Sequence, residues 1–169
     1  WSELPAIVRQ IDAERSARAI VISSTGKHFS AGMDLAVFSG GSGLATNGGA
    51  TEIGRQRSHL FLMVQQLQDS FSALEQVRMP VLVAVQGGAI GGAVDMICAA
   101  DMRYASADAF FCIQEINIGM TADVGTLQRL PKIIPEGVAR ELAFTGDRMP
   151  ARRALEVGLV NQVFDDHES

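Results

Sequence analysis

Several features that define common protein classes are scarce or missing in this sequence. Only two of its 169 residues are cysteine, and both lie among apolar neighbours, so Cys98 and Cys112 are predicted to be free buried thiols rather than a disulfide. Lysine and arginine total 14 against 19 acidic residues, a net charge of −5. Without a basic excess to neutralise phosphates, a nucleic-acid partner is not expected. No apolar run approaches the length of a bilayer span, so a membrane partner is not expected either.

Metal and nucleophile signatures are also missing. The three histidines, His28, His59 and His167, do not have metal-ligand spacing, and no Cys–His cluster accompanies them, so no metal site is predicted. The nucleophile motif G-x-S-x-G does not occur, which disfavours a serine hydrolase. The glycine-rich stretch at 86–95 matches neither the dinucleotide nor the phosphate-loop fingerprint.

The chain nevertheless has the composition of a folded domain. Hydrophobic residues make up 47% of it, enough for a core, and its length fits one domain. The chain begins at Trp1 rather than Met and shows no signal-peptide pattern, so we interpret it as a fragment or a processed product.

Apolar periodicity alternates between strand and helix patterns along the chain. This alternation predicts an α/β fold with parallel strand pairing. Residues 39–54 are rich in glycine and predict a loop, and so do residues 114–123. The predicted strands are 19–23, 81–85, 102–105, 109–113 and 159–164. The predicted helices are 2–14 with Ser2 as N-cap, 55–77, a helix containing 96–100, one from 124, one from 135 to 144, and one from 150 to 158.

The most informative stretch is the glycine-rich turn at 86–95, which follows the apolar strand at 81–85. Its two glycine pairs predict a tight turn into a helix, with unpaired backbone N–H groups at the helix N-terminus. Such groups can bind an anion or stabilise a developing oxyanion. A second turn, Phe29–Asp34, has the same design as Ile90–Asp95. If the preceding strands are neighbours, one N–H from each turn could bind the same carbonyl oxygen. The alternative is that both are ordinary tight turns.

Three carboxylates, Asp95, Glu115 and Asp123, lie in apolar or glycine-flanked segments. An acid in apolar surroundings has a raised pKa, which suits it to general acid–base catalysis near neutral pH. Acids that share one pocket also shift each other's pKa values, which separates proton donor from acceptor. For Asp123 an alternative stays open, because Asp is a favoured N-cap and a helix is predicted to begin at Val124.

Five ordered segments resemble the crotonase (enoyl-CoA hydratase/isomerase) family. They are 19–35, 80–92, 105–111, 126–131 and 154–160, and they span most of the chain. The resemblance implies a crotonase-like spiral of ββα units that binds an acyl-CoA thioester. It also implies that the backbone N–H groups of Ala31 and Gly92 hold the thioester oxygen. The expected substrate-binding residues are Ala31, Gly32, Met33, Asp34 and Gly91, and no separate cofactor is expected because CoA arrives as part of the substrate.

Within that family, the set Asp95, Glu115 and Asp123 is similar to the Δ3,5-Δ2,4-dienoyl-CoA isomerases. The resemblance implies that Glu115 and Asp123 carry out the two proton transfers of a diene shift, in an order left open, while Asp95 orients or polarises the pocket. Hydratases of the family usually carry glycine at the position of Asp123. The alternatives are an enoyl-CoA hydratase and a non-catalytic binding protein of this fold, some of which bind RNA.

The resemblance carries further expectations about the whole protein. Residues 1–169 would form a single crotonase-like core domain that lacks the family's first strand and its C-terminal helical region. The full-length protein would be a homotrimer or a dimer of trimers. Its location would be cytoplasmic in a bacterium, and mitochondrial or peroxisomal in a eukaryote.

Overall fold

The computed structural model describes residues 2–34 and 53–166, except for the side chain of residue 56. Almost all of the loop predicted at 39–54 therefore lies outside the described residues. The strands are β1 (Ile20–Ile22), β2 (Val81–Val85), β3 (Gly88–Ile90), β4 (Met102–Ser106), β5 (Phe110–Cys112), β6 (Met149–Pro150) and β7 (Gln162–Phe164). The helices are α1 (Glu3–Glu14), α2 (Ile53–Gln76), α3 (Gly92–Cys98), α4 (Thr126–Arg129), α5 (Glu136–Thr145) and α6 (Ala151–Val157), with 3₁₀ turns at Gln114–Ile118 and Leu130–Lys132.

The strands form two sheets, and the chain passes back and forth between them. The first sheet has the order β1-β2-β4-β7, and all of its neighbours are parallel. The second has the order β3-β5-β6, in which β3 and β5 are parallel and β5 and β6 are antiparallel. Strands β2 and β4 each pass from the first sheet directly into a strand of the second. The predicted α/β class is confirmed, with one antiparallel pair that the sequence pattern did not predict.

The core lies between the first sheet and the helices that cover it. Val81, Val83 and Val85 are fully buried on β2, which occupies the interior of the sheet. Against them pack Ile97 of α3 and Leu74 of α2, also fully buried. Cys98 and Cys112 are free and buried, as predicted, and burial raises the pKa of the Cys98 thiol to about 12.

The structure corrects several local predictions. The glycine-rich stretch contains β3, because Gly88 pairs with Phe110 and leaves room for its ring: a Cβ at Gly88 would lie 2.8 Å from that ring. Tertiary pairing has here overridden the low strand propensity of glycine. Val21 is 63% exposed because β1 is an edge strand, although the pattern predicted a buried strand. Ser2 makes no side-chain capping bond to α1.

The segment predicted as a loop at 114–123 begins with the 3₁₀ turn Gln114–Ile118. This turn ends at Gly119, which has the positive φ of 73° that favours glycine. Glu115 therefore lies on a short helical turn rather than on an irregular loop. Among the described helices, none combines the length and apolar character needed to cross a bilayer.

Candidate active site

The two small-residue turns lie side by side at the junction of the two sheets. Ser30 and Ala89 form a parallel bridge, in which the Ser30 N–H donates to the Gly88 carbonyl at 3.1 Å and the Ile90 N–H donates to the Ser30 carbonyl at 3.0 Å. A Cβ at Gly32, where φ is +82°, would lie 2.8 Å from the Ile90 carbonyl oxygen. Glycine at position 32 therefore permits the close approach of the two turns.

This contact leaves two backbone amides without acceptors. Gly92 is the first residue of α3, so its N–H has no partner within the helix. The Ala31 N–H also has no hydrogen bond to any residue that the structure describes. The neighbouring Gly32 N–H is bound by the Ser30 hydroxyl at 3.2 Å. Ala31 and Gly92 thus offer one free donor from each turn, the arrangement required to bind one carbonyl oxygen.

His28, to which the sequence patterns assigned no role, helps to hold the two turns together. Its Nδ1 accepts a hydrogen bond from the Gly88 N–H at 2.9 Å, and its ring packs edge-on against Phe110 at 6.1 Å. Gln86 adds two further bonds across the same junction, to the carbonyls of Ser24 and Gly26 at 2.7 and 2.9 Å. No sequence signal identifies these contacts, since they depend on tertiary proximity.

A cavity of about 260 Å³ opens beside the two free amides. Much of its wall is aliphatic, and a large part comes from one face of α2. Its lining residues are Ala31, Met33, Leu60, Met63, Val64, Leu67, Gly91, Gly92, Asp95, Gln114, Glu115, Ile118, Met120, Thr121, Asp123 and Val124.

Three of the five predicted substrate-binding residues line the cavity, and two do not. Ala31, Met33 and Gly91 line the cavity. Gly32 lies behind it, against the backbone of the neighbouring turn. Asp34 is exposed and is not among the lining residues.

Asp95 is the most deeply buried of the three carboxylates, with only 1% of its surface exposed. Its Oδ1 accepts the Thr126 N–H at 2.6 Å, whereas its Oδ2 is buried without a hydrogen-bond partner among the described residues. Burial raises the pKa of Asp95, and the bond from Thr126 offsets part of that rise. Asp95 therefore both lines the cavity and holds the start of α4.

Glu115 reaches the cavity beside the second turn. Its Oε1 lies 3.2 Å from the point where a Cβ on Gly91 would stand, and its Oε2 is buried without a partner among the described residues. Burial raises its pKa to about 6, and the negative charges of Asp95 and Asp123 contribute in the same direction. A carboxyl group that titrates near neutral pH can exchange protons readily with a substrate.

Asp123 lines the same cavity but is exposed, so the predicted apolar surroundings do not hold for this residue. The alternative prediction, that Asp123 caps a helix from Val124, is wrong. Helix α4 begins at Thr126 after Gly125, and the carboxylate that accepts the Thr126 N–H is that of Asp95. The three acids therefore meet at one cavity in different environments: Asp95 is buried, Glu115 is partly buried and Asp123 is exposed.

The donor set at this site does not resemble a metal centre. Across residues 2–34 and 53–166, no three His, Cys, Asp or Glu side chains are grouped so that they could hold a metal ion.

Comparison with known proteins adds a family likeness. A family model described as enoyl-CoA hydratase/isomerase matches residues 1–168. The chain is 42% identical to a mitochondrial Delta(3,5)-Delta(2,4)-dienoyl-CoA isomerase of Homo sapiens, covering 99% of this chain and 51% of the relative. A peroxisomal protein of the same name from Arabidopsis thaliana is 41% identical, with 96% and 58% covered. The chain thus spans about half the length of the curated relatives it matches.

A solved structure has a similar backbone. This Thermobifida fusca protein, described as an enoyl-CoA hydratase, was determined in complex with acetoacetyl-CoA. It superimposes with a TM-score of 0.84 at 27% identity, over 99% of this chain and 64% of the Thermobifida fusca chain. The likeness therefore covers almost the whole of this chain.

Proposed function

The chain belongs to the enoyl-CoA hydratase/isomerase family, and from that premise we propose that it isomerises a 3,5-dienoyl-CoA to the 2,4-dienoyl-CoA. The family membership and the α/β crotonase fold confirm what the sequence motifs indicated. The activity is the proposal. The observation that carries it is the meeting of three carboxylates with two free backbone amides at one largely aliphatic cavity.

The proposed reaction begins with loss of a proton from C2, next to the thioester. The electron pair left behind delocalises onto the thioester oxygen and along the diene, giving an extended dienolate. The Ala31 and Gly92 N–H groups are available to bind the developing negative charge on that oxygen. Removing one such donor from a comparable site typically slows a reaction by about 10²–10³-fold.

We assign the removal of the C2 proton to Glu115. Its carboxylate lies against Gly91, directly beside the Gly92 amide that would hold the thioester oxygen. C2 is bonded to the thioester carbon, so a base at this position is close to the C2 proton. With a pKa raised to about 6, Glu115 is ionised at neutral pH yet holds a proton more strongly than an ordinary glutamate.

We assign protonation of C6, at the other end of the dienolate, to Asp123. Asp95 is less suited to this step, because its Oδ1 is already bound by the Thr126 N–H. Asp123 is exposed, so after giving a proton to C6 it can take up another from solvent. Glu115 returns its proton to solvent in turn, and the atoms of substrate and enzyme balance. Asp95 would then orient the turn that carries Asp123 and add negative charge beside Glu115.

An enoyl-CoA hydratase is the second candidate. It is favoured by the pairing of Asp95 and Glu115 at one cavity and by the structural likeness to a protein described as a hydratase. Asp123 favours isomerisation, since a third carboxylate has no evident role in adding water. A non-catalytic role is less favoured, because a binding protein has no need for buried, unpaired carboxyl oxygens.

For the whole protein we propose the assembly that the family resemblance implies and the location that the names of its relatives give. A homotrimer or a dimer of trimers would cover exposed apolar side chains such as Phe144, which is 75% exposed. Light scattering of the purified protein measures this state directly. The names of the two relatives support a mitochondrial or peroxisomal location in a eukaryote. A bacterial protein of this kind would be cytoplasmic.

Replacing Asp123 by Asn tests the activity. Extending conjugation to the thioester shifts the absorbance of the diene to longer wavelength, which reports isomerisation continuously. Asp123→Asn should lower kcat by about 10²–10⁴-fold, the usual contribution of a general acid or base, while the wild-type protein shows the shift. Asp165→Asn, a change at an exposed acid that does not line the cavity, serves as the control.

A wild-type protein that leaves 3,5-dienoyl-CoA unchanged would contradict the isomerase proposal. If it removes the absorbance of a 2-enoyl-CoA instead, through addition of water, the hydratase alternative is correct.

A further inference from the structure

The turn that carries Asp123 is held by side chains from outside it. Gln68, on the half-buried face of α2, donates from Nε2 to the carbonyl oxygen of Asp123 at 2.9 Å. The preceding residue, Leu67, lines the cavity. Helix α2 therefore both forms the cavity wall and holds the backbone at residue 123.

Arg129 of α4 links the next residue of the turn, Val124, to α2. Its guanidinium donates to Glu75 Oε2 at 2.6 Å and to the Ser72 hydroxyl at 3.2 Å, both on α2. It also donates to the Val124 carbonyl at 3.4 Å. Only 12% of the Arg129 side chain is exposed, whereas its Glu75 partner is 47% exposed.

Gly125 allows that guanidinium to pack against the turn. Its φ of +141° is one that residues with a side chain rarely adopt, and a Cβ there would lie 1.7 Å from Arg129 Nη1. On the other side of the turn, Asp95 of α3 accepts the Thr126 N–H at 2.6 Å. Backbone groups of residues 123, 124 and 126 are thus each bound by a side chain, and two of these three bonds come from elements that line the cavity.

We infer that Gln68 is a positioning residue for Asp123, and that Arg129 assists it by tying the same turn to Ser72 and Glu75. An exposed carboxylate on an otherwise free turn would sample many positions relative to the substrate. Misplacing a reacting group by about 1 Å can cost about 10²-fold in rate, so the contacts that fix the turn contribute to turnover without touching substrate. The inference rests on the proposed function only for the role of Asp123. The contact between Gln68 and the Asp123 carbonyl does not depend on that function.

The test replaces Gln68 by Met, which keeps the length of the side chain and removes the donor. Gln65→Met is the matched control, because Gln65 is an exposed residue of the same helix that does not line the cavity. Gln68→Met should lower kcat about 10- to 100-fold with little change in KM, whereas Gln65→Met should leave both unchanged.

A double-mutant cycle separates positioning from general destabilisation. In an Asp123→Asn background the Gln68→Met change should cost nothing further, since the group that it positions is gone. If Gln68→Met lowers kcat by the same factor in both backgrounds, Gln68 acts through something other than Asp123 and the inference is wrong.

Amide hydrogen exchange of the peptide spanning 121–129 provides a readout that needs no activity. Exchange should be faster in Gln68→Met than in the wild type and unchanged in Gln65→Met. If the wild type does not isomerise dienoyl-CoA but exchange responds in this way, the proposed function fails and the positioning contact stands. Unchanged exchange in Gln68→Met overturns the inference whether or not the protein is an isomerase.

Discussion

Glu115, the base in the proposed reaction, also weakens the fold when it is ionised. Its side chain is partly buried, and its buried Oε2 has no hydrogen-bond partner among the described residues. Burial raises its pKa from 4.5 to about 6, so the folded state binds a proton there more tightly than the unfolded chain does. Stability from this group is present below pH 4.5 and is lost as the pH rises through about 6.

Glu115→Gln should therefore stabilise the protein at high pH while it abolishes activity. A shift from 4.5 to about 6 corresponds to at most about 2 kcal/mol, and solvent screening of this partly exposed group reduces that figure. The free energy of unfolding of the variant should therefore exceed that of the wild type by about 1 kcal/mol at pH 8. At pH 4 the two should differ little. Urea unfolding at both pH values measures the difference, with Glu141→Gln at an exposed site as control. Equal stabilisation at both pH values would contradict a buried, ionised Glu115.

At the scale of single residues, the sequence predicted which acids line the cavity but not how exposed each of them is. The three acids could be selected because they lie among apolar residues and glycines, and all three line the cavity. Exposure could not be predicted, because whether Asp123 faces water depends on how its turn packs on α2. Sequence patterns missed His28 and Gln68 for the same reason. His28 contacts Gly88, 60 residues away in sequence, and Gln68 contacts Asp123, 55 residues away.

Helix α4 is short and depends on another element for its start. It has four residues, its N-cap position is Gly125, and no side chain within the helix caps it. The carboxylate of Asp95 on α3 replaces that cap by accepting the Thr126 N–H at 2.6 Å. A buried N–H that loses its acceptor costs about 1–3 kcal/mol. The orientation of α4, and of the turn before it, therefore depends on α3.

Asp95→Ala and Asp95→Asn should differ in stability. Asparagine retains an oxygen that can accept the Thr126 N–H and removes the buried charge, whereas alanine leaves that N–H unpaired. The alanine variant should be less stable than the asparagine variant by about 1–3 kcal/mol, measured by urea unfolding at pH 7. Equal stabilities would show that the Asp95–Thr126 bond contributes nothing to folding.

Element types were largely predictable, and the exceptions share a physical cause. The apolar run at 81–85 became β2 because branched side chains favour a buried sheet, and the strand predicted at 102–105 became β4. Strand β3 was missed because glycine disfavours strands in isolation. It forms here because its neighbour β5 supplies hydrogen bonds and a phenylalanine ring that only glycine can accommodate.

On the scale of the whole molecule, the arrangement of two sheets determines where the site lies. Strand β2 crosses from the first sheet to β3 of the second, and the turn after β3 meets the turn after β1. Helix α2 closes the cavity from the side and holds the Asp123 turn. The family resemblance could be established from ordered sequence segments. The convergence of residues 31, 92, 95, 115 and 123 on one cavity required the structure.

Isotope incorporation tests the proposed reaction most directly. The protein is given a 3,5-dienoyl-CoA in D₂O, and the product of early turnover is examined by mass spectrometry and NMR. Proton transfer through Glu115 and a solvent-exchanged Asp123 predicts a 2,4-dienoyl-CoA that carries one deuterium at C6 and no added oxygen. Recovery of unchanged substrate, or of a product that has gained the elements of water, would contradict it.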